Sequence, residues 1–285
     1  MWCCLVGSEM CIRDRLITFM MGSCAIIIGV MIDSLNGLMH LFGVLCWMMS
    51  AFFVNFWRDP DRKIPTDDNI LVSPADGHVM FVRRERATGR RPSHDESSSE
   101  LIELDELTGP WYPESLTDPL SFATEQRFEP VDDGSESEHD VLRIAIFMSP
   151  LDVHVNRSPF AATIERMEHR SGYGRKRGPF LPAMKKESEH NERVRTVLLG
   201  DDSTRVELCQ ISGALARTIV PWTGVGDKLR RGQRYGMIRL GSRVDIRVPA
   251  KLFEPVVESA ESGNPQYPKG QFVQAGSSIL FRQRR

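Results

Sequence analysis

Beyond residue 46 the chain carries a single cysteine, Cys209; the other five of its six, Cys3, Cys4, Cys11, Cys24 and Cys46, crowd the first 46 residues. None has metal-ligand spacing. That scarcity excludes a disulfide framework, offers no zinc or other metal site, and fits a reducing cytosolic compartment for the main domain. No internal repeat of solenoid period is present. Nucleic-acid motifs are also missing. The basic residues are scattered without interleaved aromatics, so no nucleic-acid partner is expected.

What is there is uneven. The net charge of −2 conceals a segment, residues 92–140, with fifteen Asp and Glu and one basic residue, Arg127. The rest of the chain carries the opposite excess, which suits an anionic membrane surface. The acidic stretch contains Ser97-Ser98-Ser99 and prolines at 92, 110, 113, 119 and 130. Over 89–140 it reads as a disordered surface insertion.

Two long apolar runs open the chain. Residues 16–32 form one of 17 without a charge, and residues 38–57 form a second whose strongly polar members are His40 and Asn55. A hydrocarbon core of about 30 Å needs runs of this length, the first only just reaching it. With the turn-like 33–37 between them they predict a transmembrane helical hairpin. Arg13 and Arg15 precede it and Arg58, Arg62 and Lys63 follow it, so both ends face the cytoplasm by the positive-inside rule. The competing reading is a helical pair buried in a soluble core. Residues 1–15 resemble translated sequencing-adapter sequence; they are treated as a non-native or disordered leader without functional weight.

After the hairpin the pattern turns to short Val- and Ile-rich runs bounded by Gly, Pro, Asp or Ser: 70–82, 141–147, 195–199, 205–211, 216–222, 236–240 and 243–248. This predicts an α+β chain whose catalytic domain, 58–285, is mainly β and sandwich- or barrel-like.

The segment GQRYGMIRLGSRVDIRVP, Gly232 to Pro249, sets Gly241-Ser242 between two strand-like runs. A serine after a glycine usually marks a turn. It also permits chemistry. Gly241 has no Cβ, so its carbonyl can be approached closely in unusual backbone conformations. Attack of Ser242 Oγ on that carbonyl would turn the amide into an ester. β-Elimination would then leave dehydroalanine at 242, which hydrolyses to a pyruvoyl group.

That segment resembles the processing site of short-type phosphatidylserine decarboxylase proenzymes. The resemblance extends, in order, through FWRDPDRKIP (Phe56–Pro65), SPADG (Ser73–Gly77), IFMSPLDVHVNRSP (Ile146–Pro159), NERV (Asn191–Val194) and QISGALARTIVPW (Gln210–Trp222). GVGDKLRRGQRYG (Gly224–Gly236) is similar to the turn-and-hairpin pattern of lipoyl-like domains. The resemblance implies self-cleavage between Gly241 and Ser242 into β and α chains that stay partners, and a covalent pyruvoyl group derived from Ser242. That group takes the amine of phosphatidylserine in the membrane and serves as the electron sink for loss of CO2.

The remaining site candidates follow from the same motifs. Asp76 is either a turn residue capping its own backbone or a carboxylate that orients a catalytic base. His154 is either structural or a proton donor and acceptor, a task its ordinary pKa of about 6.5 suits. Arg157 and Arg243 are candidates for the substrate phosphate or carboxylate, with a solvated surface role as the alternative. His78 has a lesser claim. Long-type members carry a histidine where this chain has Arg157, and arginine cannot be a general base near neutral pH. Two rival functions remain: a decarboxylase of another serine-headgroup lipid, such as an archaetidylserine-like ether lipid, and a non-catalytic membrane-bound lipoyl-like β domain.

Overall fold

The structure, a computed structural model, describes residues 8–32, 36–87, 128–131, 137, 140–170, 193–213, 219–239, 241–266 and 268–284. It divides into two compact units: Met1–Asp61 with Pro150–His154, and Arg62–Ser149 with Val155–Arg285.

The first unit is built on two helices, α1 (Ser8–Met31) and α2 (Asn36–Phe56). Neither contains a proline, and small residues line their contact. A Cβ on Gly22 would lie 2.6 Å from the Trp47 ring, one on Gly29 2.9 Å from Met39 and His40, and one on Gly43 2.5 Å from Ile26. The order of these contacts runs oppositely along the two helices, so the pair is antiparallel, brought close by missing side chains. The Phe19 ring stacks on Trp47 with centroids 6.1 Å apart. Of the two, the helix over Gly37–Phe56 is long and apolar enough to cross a membrane; the apolar part of α1, Leu16–Met31, is shorter. Of the leader of residues 1–15, the first seven lie outside the described residues, and helix begins at Ser8. Residues 8–15 hold no glycine or proline to stop the helix from propagating backwards.

The second unit is antiparallel β-structure. Its strands are β1 (Ile70–Val72), β2 (Gly77–Ala87), β3 (Phe128–Pro130), β4 (Asp140–Met148), β5 (Val155–Arg157), β6 (Ala162–Arg170), β7 (Arg193–Leu199) and β8 (Arg205–Ile211), followed by β9 (Ile219–Pro221), β10 (Lys228–Leu229), β11 (Arg234–Ile238), β12 (Ser242–Pro249), β13 (Phe253–Pro255), β14 (Phe272–Val273) and β15 (Ile279–Gln283). Nine form one sheet in the order β10-β6-β7-β8-β12-β4-β2-β14, with β3 also on β2. Two three-stranded sheets, β1-β15-β13 and β5-β11-β9, accompany it. One apolar cluster draws on all three sheets, including Leu71, Phe253 and Phe281, Ile219 and Ile238, and Ile144, Leu208 and Ile246.

The single run expected over 70–82 is two strands in different sheets, because the chain turns at 73–76. Ser73 Oγ donates to the Ala75 carbonyl at 2.6 Å in that turn. Most of the acidic stretch expected to be disordered lies outside the described residues. Its far end is structured: β3 pairs with Glu85–Ala87 of β2, and Asp140 is buried between Arg86 (2.6 Å) and Arg84 (3.0 Å). Two guanidiniums bring that end of the acidic segment into the sheet.

Strand β12 lies between β4 and β8 and is buried on both faces. Val244, Ile246 and Val248 enter the apolar core. Arg243, Asp245 and Arg247 point the other way into a layer of buried charge. Arg243 donates to Asp245 through Nε (2.6 Å) and Nη2 (2.7 Å), and Arg143 Nε reaches Asp245 at 2.9 Å. Arg143 also pairs with Glu85 at 3.1 Å, and Arg247 with Glu207 at 2.5 Å. Arg143 and Arg243 both approach the Phe81 ring, at 5.4 and 5.2 Å. Charge balance, three guanidiniums against three carboxylates, is what makes such a layer tolerable inside a protein.

Candidate active site

Ser242 is the first residue of β12, opposite Met148, the last residue of β4. It is fully buried, and its hydroxyl donates to Met148 Sδ at 3.4 Å. A thioether is a weak acceptor, so the hydroxyl is held without being tied up. Gly241 before it has φ +60°, and nothing lies within 4 Å of where its Cβ would be. The peptide between Gly241 and Ser242 thus leaves a left-handed residue and enters a buried strand.

Two amides stand beside this hydroxyl. Asn156 Nδ2 donates to the same Met148 sulfur at 3.8 Å, and Gln210 Nε2 donates to Asn156 Oδ1 at 2.8 Å. Both residues are buried, and Gln210 Oε1 has no hydrogen-bond partner among the described residues. Sequence reasoning missed Met148, Asn156 and Gln210. A signal existed for one of them: Gln210 sits where the alternation Val206, Leu208 calls for a third apolar residue.

Asp76 lies in the turn before β2. Its Oδ2 accepts Arg62 Nη2 at 2.6 Å and its Oδ1 accepts the backbone N–H of Ala275 at 2.7 Å. Gly77 and Ser242 begin β2 and β12, which flank the same end of β4. Asp76 and Ser242 are therefore about two strand spacings, roughly 10 Å, apart across the sheet. Gly77 is a position of close approach: a Cβ there would lie 2.1 Å from the Phe147 carbonyl oxygen.

Arg157 closes β5. It is buried, its backbone N–H donates to the Pro74 carbonyl at 2.9 Å, and its Nη1 to the Gly232 carbonyl at 3.1 Å. A Cβ on Gly276 would meet Arg157 Cδ at 3.1 Å and Arg62 Cβ at 3.9 Å. The turn thus gathers Asp76 and two guanidinium side chains around one glycine. Sequence reasoning missed Arg62, although it lies within the Phe56–Pro65 motif.

Arg243 departs from expectation. It is fully buried with Nε and Nη2 committed to Asp245, so the solvated surface role is excluded, and it faces away from the Ser242 hydroxyl by strand alternation. His78 is half-buried and packs edge-on against Phe272, centroids 5.2 Å apart.

His154 belongs to the helical unit, in the loop immediately before β5 rather than in a strand. Its imidazole is buried, 4.4 Å from the Phe56 ring, with Nδ1 2.8 Å from the Asp152 carbonyl oxygen. A carbonyl can only accept, so Nδ1 carries the proton in the neutral ring and Nε2 presents its lone pair. Nε2 is buried and has no hydrogen-bond partner among the described residues. Burial pushes the histidine pKa down to about 4, Arg58 acting in the same direction and the Asp152 carbonyl and carboxylate opposing it. Near neutral pH the ring is an uncharged base.

The family model described as phosphatidylserine decarboxylase matches residues 49–281. A phosphatidylserine decarboxylase proenzyme of Erythrobacter litoralis is 35% identical over 80% of this chain and 71% of its own. One from Zymomonas mobilis is 34% identical over 84% of this chain and 73% of its own. One from Symbiobacterium thermophilum is 36% identical over 71% of this chain and 70% of its own.

Proposed function

The chain belongs to the phosphatidylserine decarboxylase family, and from that premise we propose the roles of its site residues. It decarboxylates phosphatidylserine to phosphatidylethanolamine and CO2, and it is made as a proenzyme that cleaves itself. Ser242 is the nucleophile of that cleavage. Its Oγ attacks the Gly241 carbonyl, the peptide nitrogen becomes the amine of the ester, and β-elimination releases Gly241 as a carboxylate. The new α chain of 44 residues then begins at position 242.

What supports this reading is the setting of Ser242: a buried, lightly held hydroxyl directly after a glycine at φ +60°. A pyruvoyl group derived from Ser242 fits there, at the start of a central strand and beside the Asn156 amide. Such a group supplies the electron sink for decarboxylation. The α chain that carries it stays in place after cleavage, because β12 is hydrogen-bonded to strands of the β chain on both sides.

His154 serves as the proton donor and acceptor, in self-cleavage as well as in turnover, through Nε2. Asp76 is a fixed anion that orients the site, its two oxygens held by Arg62 and the Ala275 N–H. Arg157, with Arg62 flanking the same glycine, holds the anionic part of the substrate. Arg243 is better read as a partner of Asp245 than as a substrate ligand.

The helices anchor the chain as a transmembrane hairpin with both ends in the cytoplasm. The length of Gly37–Phe56 and the cations Arg58, Arg62 and Lys63 after it support that placement. The protein is expected to stay in the membrane pellet through high-salt and alkaline washes, and release by salt alone would overturn the anchor.

Intact mass spectrometry of the purified protein tests the central reading. Two chains are expected, the smaller beginning at position 242 and lighter than a serine-ended chain by one ammonia. One uncut chain would overturn it.

A further inference from the structure

The loop Pro150–His154 groups with the helices and not with the sheets on either side of it in sequence. Its contacts explain why. Asn55 Nδ2, at the end of α2, donates to the Leu151 carbonyl at 3.3 Å, and Arg58 Nη2 donates to the same oxygen at 2.8 Å. Arg58 Nη1 turns back to the Asn55 carbonyl at 3.1 Å and also to the Asn55 side-chain oxygen, joining the two donors. Arg58 thus caps the carboxyl end of the helix while gripping the loop, a position where a cation also complements the helix dipole. Between them Phe56, 3% exposed, lays its ring against His154 and is backed edge-on by Trp57 at 5.3 Å.

We infer that the end of α2, through Asn55, Phe56 and the Arg58 that follows it, positions His154 for proton transfer, so that the membrane-anchoring helix is also part of the catalytic apparatus. This rests on the assignment of His154 as the proton-transferring group. The three residues are positioning residues; none is asked to touch substrate.

A purely structural packing would account for the apolar contact, but not for the state of the ring. The Asp152 carbonyl holds the Nδ1 proton, so the lone pair falls on Nε2, the one polar atom of the ring left without a partner. A buried acceptor left unmade costs about 1–3 kcal/mol, which an ordinary core would avoid. The charged groups facing the ring are Asp152 on its own loop and Arg58 just after α2; the carboxylate favours the protonated ring and the guanidinium opposes it. Phe56 contributes by excluding water from the ring face. Leu151, at the tip of the same loop, is 63% exposed beside the end of the apolar helix. The loop that carries the histidine is thereby fastened where the chain leaves the membrane.

The test uses the full chain in detergent micelles containing phosphatidylserine, with turnover expressed per cleaved chain. Phe56→Ala is expected to lower kcat about 100-fold, the effect of a small misplacement of a catalytic group, while KM stays within about twofold. The acid limb of its kcat–pH profile should move up from near 4 toward the ordinary histidine value of about 6.5. Phe56→Trp, which keeps a ring over the imidazole, should restore both. The Asn55→Ala/Arg58→Ala double variant leaves the apolar contact in place and is expected to lower kcat with KM unchanged. His154→Ala separates the two claims. Normal turnover in that variant would remove the assignment of His154 itself. An inactive His154→Ala beside a Phe56→Ala or double variant with unaltered kcat and acid limb would overturn the positioning role alone.

Discussion

The two faces of β12 are both buried and are built in opposite ways. On one, Arg243, Asp245 and Arg247 meet Arg143, Glu85 and Glu207, and both Asp245 oxygens are gripped by guanidinium groups. On the other, Ser242 at the strand's end leans on a thioether, and the nearby Gln210 keeps a bare carbonyl oxygen. Ion pairs between guanidiniums and carboxylates hold the first face, while the second offers a lightly held hydroxyl. The charged face also spans the proposed cut between 241 and 242. Asp245 and Arg247 lie after it and their partners Arg143, Glu85 and Glu207 before it, so under that proposal these ion pairs would hold the two products together.

The largest effect expected from breaking this contrast is at the hydroxyl. Ser242→Ala removes both the nucleophile and the source of the ketone, so a denaturing gel should show one chain and the decarboxylase assay no activity. A variant that still splits at this position would move the site elsewhere.

Next comes the charged face. Asp245→Asn leaves Arg143 and Arg243 buried without their carboxylate and should cost about 3–5 kcal/mol, read from urea unfolding of the Ser242→Ala proenzyme background. A loss below about 1 kcal/mol would show that the layer is not structural. Burial alone would raise the Asp245 pKa, but Arg143 and Arg243 hold it far below the usual carboxylate range. A folded pKa below the unfolded one stabilises fully above about pH 4, and that stabilisation drains away as pH falls toward the folded value. The Asp245→Asn variant should lose this acid dependence.

Arg157→Ala sharpens the contrast from the substrate side. Cleavage should proceed normally and KM should rise about tenfold, worth roughly 1.4 kcal/mol of binding. Slow cleavage with normal KM would assign Arg157 to processing instead. An effect of similar size is expected at Gly241→Ala. No atom lies within 4 Å of the added Cβ, so the penalty is that of the left-handed backbone alone, about 1–2 kcal/mol. Self-cleavage should slow about tenfold in a time course while the fold survives; an unchanged rate would mean the φ of Gly241 is not used.

The candidate residues were legible because their motifs are local. Gly241-Ser242, the Asp76 turn and the His154 loop each occupy a short run of the chain. Arg243 was not legible as an internal partner, since its carboxylate lies two positions along the strand on a face that composition would place in water. Asn156 and Gln210 come from different sheets, and a pattern read along one strand cannot show that they meet. The run over 70–82 looked continuous because Val-rich segments carry no mark of which sheet they join.

The order of residues by itself determined the candidate dipeptide Gly241-Ser242, the apolar helices and the β-rich character of the rest, because these follow from side-chain chemistry and short-range periodicity. Only the tertiary structure decided that Ser242 begins a strand buried on both faces, that its neighbours balance charge in a buried layer, and that His154 is fastened to the end of α2. Those outcomes depend on strand order and on contacts between residues far apart in the chain, and no short pattern along the chain encodes either.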